Sequence, residues 1–129
     1  MRSGEFGLAC GSVVIVDASG TSVRVELTEG FDFDKHAVDN SLATGSVALR
    51  REVLADVGVF HTALAVAEDY DLWLRITERY RVVHSAVPLY CYREWSDSLS
   101  RCMSDCFDSC LVEVALRRRQ RIKDGVAWR

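Results

Sequence analysis

The chain has 129 residues, 49% of them hydrophobic and 27% charged, with a formal net charge of -3 at pH 7. A chain of this length forms one domain with a sizeable core, and its composition excludes an intrinsically disordered protein. The negative charge excludes a general attraction to nucleic acid or to an anionic membrane. No stretch approaches ~18 consecutive apolar residues, so we expect no integral membrane segment.

The cysteines indicate the compartment. There are five of them, an odd number, and Cys102, Cys106 and Cys110 recur at helical spacing. A secreted disulfide framework has a different pattern, and no basic segment followed by an apolar run opens the chain. We therefore expect a cytoplasmic protein with reduced thiols. The same spacing could hold a metal on one helix face, but the apolar residues of that stripe favour core packing.

The first predicted strands lie near the N-terminus. Residues 1–11 are set apart as a linker or cloning-derived segment, because the first seven positions show no apolar period, and the domain is placed at 12–129. A β-branched run at 12–16, turn residues at 17–20 and polar–apolar alternation at 22–27 follow. This pattern predicts a β-hairpin with a short turn.

The rest of the chain is predicted to alternate short strands with helices. The first predicted elements are a loop or short helical turn near His36, a strand over 44–49 and a helix over 50–57 that Gly58 ends. They are followed by a helix from 68 or 69 to 79 and by strands over 81–86 and 89–93, which we expect at adjacent edges of the sheet. An apolar stripe from Leu99 to Val114 then predicts a long amphipathic helix that runs to Lys123 and stops before Gly125. These elements make an α/β fold with a small mixed sheet.

Three carboxylates stand at the start of the second predicted helix, at Glu68, Asp69 and Asp71. Carboxylates in this position can cap the helix by accepting bonds from free backbone N–H groups. A positioned carboxylate can also act as a general base that takes a proton from a hydroxyl group. The three residues by themselves leave both interpretations open.

Four segments, one of which contains these carboxylates, occur in a characteristic order. They are Asn40 with 44–54 (TGSVALRREVL), then 57–60 (VGVF), 68–75 (EDYDLWLR) and 88–93 (PLYCYR), the last followed by Ser96, Ser98 and Ser100. As an ordered set they resemble the C-terminal, acceptor-side half of family 2 glycosyltransferases, enzymes with the GT-A (nucleotide-diphospho-sugar transferase-like) fold. The resemblance covers about residues 12 to 100, and the pair Glu68–Asp69 is its strongest part.

The resemblance implies an activity and an acceptor pocket. Such enzymes transfer a sugar from a nucleotide-diphosphate sugar to a saccharide or lipid-linked hydroxyl acceptor, inverting the anomeric carbon. Asp69 matches their catalytic base, and Glu68 would help to form the acceptor pocket beside it. Gly45 and Ser46 match the strand that faces the acceptor.

A second group of residues resembles the loop that closes over the diphosphate of the donor. Arg93, Ser98 and Ser100 match its arginine and serines, which can bind phosphate oxygens. The family often has a metal-binding histidine two positions after the arginine, where this chain has Trp95. An indole cannot ligate a cation but can stack on a base or a sugar, so we expect no metal ligand in this loop.

The complete enzymes of the family use a divalent cation, Mg²⁺ or Mn²⁺, which a DxD motif in a nucleotide-binding half holds. No such half precedes residue 12, so we expect the isolated chain to be incomplete. Asp32 and Asp34 have DxD spacing, but no apolar strand precedes them. Asp17 ends an apolar strand, but Ser19 takes the second acidic position and the pattern fits a turn. We therefore expect neither to be the metal motif.

The histidines and the C-terminal cations form no pattern that is specific for one function. His36, His61 and His84 share no close spacing and are expected to be surface or capping residues. The cations at 117–119, with Arg121 and Lys123, could bind phosphates, but a solvated last helical turn is the usual structure of such a cluster.

A different class of function stays open beside the transferase. The chain could be a non-catalytic fragment or remnant that serves as a self-associating binding module. A missing half would leave an apolar sheet edge and helix surface exposed, which favours dimerisation or strand exchange, and we expect a homo-oligomer through the exposed edge.

Overall fold

A computed structural model of the protein describes residues 5–26, 30–96 and 104–126. They form a mixed α/β fold with a small open sheet of four strands and flanking helices. The elements are β1 (Phe6–Val16), β2 (Ser22–Glu26), α1 (Phe33–His36), a 3₁₀ turn (Thr44–Ser46), β3 (Val47–Leu49), α2 (Arg51–Val57), α3 (Glu68–Thr77), β4 (Arg81–Arg93) and α4 (Ser104–Lys123).

Strand β1 is the centre of the sheet. On one side its first half pairs antiparallel with β3, with Ala9 opposite Ala48, and its second half pairs antiparallel with β2 in the predicted hairpin. On the other side it runs parallel to β4 along its whole length. Most of its residues are buried, which explains why its sequence is a nearly continuous apolar run instead of an alternating one.

Residues 6–11, which we set apart from the domain, form the first half of β1. Two glycines, Gly7 and Gly11, interrupt the apolar pattern of this strand, and close packing requires glycine at both positions. A Cβ atom at Gly7 would lie 2.6 Å from Tyr80, and one at Gly11 would lie 2.5 Å from Leu89. The folded part of the chain thus begins before residue 12.

Strand β4 differs from its prediction. The two predicted strands are two halves of one strand, and both pair with β1 instead of forming adjacent edges. The register shifts twice near Pro88, because Gly11, Ser12 and Val13 of β1 lie opposite Ser85, Pro88 and Tyr90. The extra residues on β4 form a bulge, the usual place for a proline within a strand.

The shorter elements mostly follow the predictions. The helical turn near His36 is confirmed as α1, and α2 ends at Gly58, whose φ of 84° lies in the left-handed region that glycine favours. The predicted strand over 44–49 is only half a strand, since its first three residues form the 3₁₀ turn.

Helix α3 holds the fold together because it has apolar neighbours on two sides. Leu72, Trp73 and Ile76 pack with Leu8 and other residues of the sheet, which confirms the prediction that Leu72 and Trp73 are core. The other side of α3 forms a second cluster, with the buried residues Leu64, Ala67, Tyr70, Leu74 and Val114. α3 therefore lies between the sheet and α4.

Helix α4 ends at Lys123 as predicted, and Gly125 follows with a φ of 68°. Of the predicted stripe, Val114 is buried, and Cys106, Cys110 and Leu111 are partly buried. The predicted stripe residues Leu99, Cys102 and Met103 lie outside the described residues, as does the side chain of Phe107. The cysteines that are described, Cys10, Cys91, Cys106 and Cys110, are free thiols. No helix in the described ranges is long and apolar enough to cross a membrane.

The prediction of a solvated basic turn is wrong for two of the arginines of α4. Arg121 donates from Nε to Glu78 Oε2 at 3.0 Å and from Nη2 to Glu78 Oε1 at 3.2 Å. Arg118 lies 3.3 Å from the same carboxylate, and Glu78 is only 2% exposed. These cations therefore anchor α4 to the end of α3, because a carboxylate buried there requires counter-charges.

Candidate functional site

Asp69 lies in the first turn of α3, at the wall of a cavity. Its Oδ2 accepts a hydrogen bond from the Thr44 hydroxyl, and its Oδ1 accepts one from the Tyr70 N–H at 2.6 Å. The chain enters the helix through Ala67, whose φ of 61° is left-handed and costs about 1–2 kcal/mol in a residue with a side chain. This sharp entry places the first turn of α3 against the 3₁₀ turn.

The cavity has a volume of about 540 Å³, in the range of small-molecule sites. Three of the predicted site residues meet there, because Gly45, Ser46 and Asp69 all line it. Two carboxylates, Asp69 and Asp39, and one ammonium, that of Lys35, are also at its wall. The site thus suits a neutral, hydroxyl-rich molecule better than an anion.

Gly45 has a packing role that its sequence context did not indicate. A Cβ atom at this position would lie 2.4 Å from the ring of Tyr90, so only glycine allows the ring to lie against the 3₁₀ turn. Ser46 is buried, and its hydroxyl donates to the carbonyl oxygen of Ala43 at 2.8 Å. Gly45 therefore shapes the cavity, whereas the hydroxyl of Ser46 closes the turn.

Tyr90 and Tyr92 are wall residues that we did not predict. They stand two positions apart on β4 and so point to the same face, with ring centroids 6.3 Å apart. The signal was present in the sequence as an alternating tyrosine pair, but its significance depends on which strand lies beside the 3₁₀ turn. Aromatic rings at a polar cavity offer flat apolar surface to the faces of sugar rings.

The other predicted site residues do not meet at this cavity. Glu68 is half-buried and is not among its lining residues. Arg93 lies at the β1–β2 turn, where it donates to the carbonyl oxygen of Ala18 at 3.3 Å and its guanidinium is 5.9 Å from the centroid of Trp95. Ser98 and Ser100 lie outside the described residues, so the predicted diphosphate loop is described only at its start.

A second cavity of about 700 Å³ adjoins the first. The two share Gly11, Lys35, Ser41 and Leu42, and the second extends to Phe31 and His84. A molecule larger than one sugar ring could therefore extend from Asp69 past Lys35.

The acidic residues with metal-motif spacing have other partners. Asp32 caps α1, since its Oδ1 accepts from the N–H groups of Asp34 and Lys35 at 2.9 and 3.2 Å. Asp17 accepts from the Ser19 hydroxyl at 2.6 Å and from the Thr21 N–H at 2.9 Å. The hydrogen bond from Ser19 is the main cause that lowers the pKa of Asp17. Among the described residues no group of three His, Cys, Asp or Glu side chains could hold a metal ion.

His36 is not a surface residue, which corrects its prediction. It is 0% exposed and lies between Phe31 and Tyr70, with ring centroids 5.3 and 5.5 Å away. Its Nδ1 is 3.0 Å from the Ser41 hydroxyl and accepts the Ser41 N–H at 3.3 Å. Burial lowers the pKa of His36 to about 4, so the ring is neutral at pH 7. It orders the loop between the two cavities.

The other charged residues discussed in the segment 68–75 stabilise the helices around the site. Arg75 donates from Nε to Asp71 at 2.9 Å, from Nη1 to the carbonyl oxygen of Val57 at 2.6 Å and from Nη2 to that of Val59 at 2.8 Å. Asp71 is 1% exposed, and its Oδ1 also forms an ion pair with Nη1 of Arg121 at 3.4 Å. This network ties α3 to the end of α2. Of the three carboxylates Glu68, Asp69 and Asp71, only Asp69 lines the cavity.

The chain matches no protein-family model and no curated protein.

Proposed function

We propose that this chain is the acceptor-side part of a sugar transferase, and that the cavity beside Asp69 binds the hydroxyl acceptor, a saccharide or the sugar of a lipid-linked acceptor. One observation carries the proposal. Segments that are far apart in sequence and that resemble family 2 glycosyltransferases, the turn Thr44–Ser46 and the start of α3, meet at one cavity with the carboxylate of Asp69 in its wall.

The bonds around Asp69 suit a general base. A carboxylate can accept about four hydrogen bonds, and Asp69 accepts one from Thr44 and one from the Tyr70 N–H. These two bonds orient it and leave lone pairs for an acceptor hydroxyl. In the proposed reaction that hydroxyl gives its proton to Asp69, and its oxygen attacks the anomeric carbon. The bond to the diphosphate breaks, the nucleoside diphosphate leaves with the electron pair, and the configuration inverts.

The described residues do not fit the divalent cation of the complete family members. Asp32 caps a helix and lies at the wall of the adjoining cavity, Asp17 is a turn residue, and neither lies at the cavity of Asp69 itself. Arg93, the predicted diphosphate ligand, is turned to the β1–β2 turn. We therefore assign only acceptor binding and proton removal to this chain, with the donor and Mg²⁺ or Mn²⁺ bound by other residues.

A non-catalytic binding module is a second candidate. It is favoured by the outer edge of β4, which pairs with no strand in the described part of the chain and carries exposed Val83, Val87 and Leu89. Such a protein would bind saccharides or copies of itself. Removing the charge of Asp69 would have no effect on that function. A neighbouring reading frame that encodes an apolar strand and a DxD motif would favour the transferase.

The first test measures binding. The ¹⁵N-labelled chain is titrated with glucose, galactose, N-acetylglucosamine and their disaccharides by NMR, and with UDP and Mn²⁺ by calorimetry. We expect saccharides to shift the amide signals of Thr44, Gly45, Asp69 and Tyr90 saturably, and UDP not to bind. Failure of every saccharide at millimolar concentration would contradict the proposal, and Mn²⁺-dependent UDP binding would contradict the assignment of the donor to other residues.

The second test separates the base from the binding site. In any preparation that shows transfer from a UDP-sugar, Asp69→Asn should lower the rate about 10²–10⁴-fold and leave saccharide binding intact. Asp39→Asn is the matched control, since it removes the other carboxylate of the same cavity. Equal transfer by wild type and Asp69→Asn would favour the binding module.

A further inference from the structure

The outward face of α4 carries a stripe of exposed apolar side chains that Arg119 interrupts. Val112, Ala115, Arg119 and Ile122 follow one another at intervals of three, four and three residues, the spacing of a helix seam that packs against another helix. Val112 is 60% exposed, Ile122 is 46% exposed, and Leu116 beside them is 53% exposed. Arg119 can lay its aliphatic stem along such a stripe with its charge at the rim.

The opposite face of the helix is already in use. Val114 is buried against α3, and Arg118 and Arg121 bind Glu78. Within the described part of the chain, the stripe is therefore the exposed face of a helix that is fixed in place. Such a helix does not have to be ordered when a partner binds, which lowers the cost of association.

The charges on this face indicate the partner and its orientation. Exposed Asp108 lies near one end of the stripe, and exposed Arg119 and Lys123 lie near the other. A second copy in parallel orientation would place Asp108 against Asp108 and Arg119 against Arg119. In antiparallel orientation Asp108 of each copy comes within about one turn of Lys123 of the other, and Val112 lies opposite Ile122.

We propose that the outward face of α4 is an antiparallel, two-fold symmetric interface with a second copy of this chain. The face is complementary to itself in apolar content, and in charge its two Asp108–Lys123 attractions outweigh the one repulsion between the two Arg119 side chains, which lie about 6 Å apart along the axis, as a two-fold interface requires. From Asp108 to Lys123 it extends about 22 Å along the helix, which makes a small interface and a reversible dimer. The edge of β4 is less suited to self-association, because Pro88 and the bulge interrupt its row of backbone donors. The dimer does not depend on sugar transfer.

Sedimentation equilibrium over a range of concentrations at low salt tests the proposal. The wild-type mass should rise from 14.5 kDa toward twice that value, and Val112→Lys should keep it at the monomer mass. Asp108→Lys and Lys123→Asp should each weaken the dimer on the order of tenfold, and the two together should restore it. All three positions of substitution are exposed, and circular dichroism would verify that the variants are folded.

Val87→Lys on β4 is the matched control, since Val87 is 64% exposed on the sheet edge. It should leave the dimer intact. A wild-type chain that stays monomeric throughout, a dimer that survives Val112→Lys, or a double charge exchange that fails to restore association would each overturn the proposal. Loss of the dimer in Val87→Lys alone would assign self-association to the edge of β4.

Discussion

Thr44 and Asp69 are 25 residues apart in sequence, and the hydroxyl of Thr44 donates a hydrogen bond to the carboxylate of Asp69. This bond joins the 3₁₀ turn to the first turn of α3 and so closes one side of the cavity. It orients the carboxylate that we propose as the base, and it links two segments that are distant in sequence.

Thr44→Val should lower the free energy of unfolding by about 1 kcal/mol, because it removes a hydrogen bond to a charged group and keeps the shape of the side chain. Thr44→Ser keeps the hydroxyl and is expected to lie within about 0.5 kcal/mol of wild type. Urea unfolding measures both values. A larger loss for Thr44→Ser than for Thr44→Val would mean that the methyl group, and not the bond to Asp69, is what matters.

Gly45→Ala should destabilise the protein by about 1–3 kcal/mol, because the new Cβ would lie 2.4 Å from the ring of Tyr90 and the ring would have to move. It should also disturb the amide signals of the cavity wall. In a double-mutant cycle, Tyr90→Ala should relieve most of the cost of Gly45→Ala, since the clashing ring is gone. Additive losses would show that Gly45 is required for another reason.

Glu78→Gln should cost about 3 kcal/mol, because it removes a buried charge that neutralises Arg118 and Arg121. The matched control is Glu113→Gln on α4. Glu113 pairs with Arg117 at 2.8 Å, but it is 46% exposed, so its loss should cost less than about 1 kcal/mol. Chemical denaturation compares the two, and a control as damaging as Glu78→Gln would contradict the anchoring role of Glu78.

Stability should fall in mild acid because of His36. Its pKa is lowered to about 4 in the folded protein, from an ordinary value of 6.5, so the unfolded chain binds more protons between these two pH values. The stability present above pH 6.5 is therefore lost as the pH falls toward 4, by about 3 kcal/mol in total.

His36→Asn provides the control for this pH dependence. The asparagine oxygen can accept the Ser41 N–H in place of Nδ1 but does not titrate, while the carboxylates of both proteins titrate alike. The free energy of unfolding, measured from pH 7 to pH 4, should fall more steeply for wild type than for His36→Asn. Parallel curves would show that the protonation of His36 is not linked to unfolding.

Helices α2 and α3 were predictable because their signals are local. Gly58 marks the end of α2, and Leu72, Trp73 and Ile76 mark the buried side of α3 within one short segment. The continuity of β4 was not predictable, because Pro88 separates two apolar runs that look like two strands. Only pairing with β1, which is more than 70 residues away in sequence, makes them one.

The sequence by itself determined the α/β class, the hairpin, the placement of Asp69 at a helix start and the core role of Leu72 and Trp73, since these depend on residue spacing within single elements. The tertiary structure alone decided that Tyr90 faces Gly45, that His36 is buried and that Arg93 points away from the cavity. Those facts depend on strand register and on contacts between distant segments, and a shift of one residue in a strand moves every side chain to the other face.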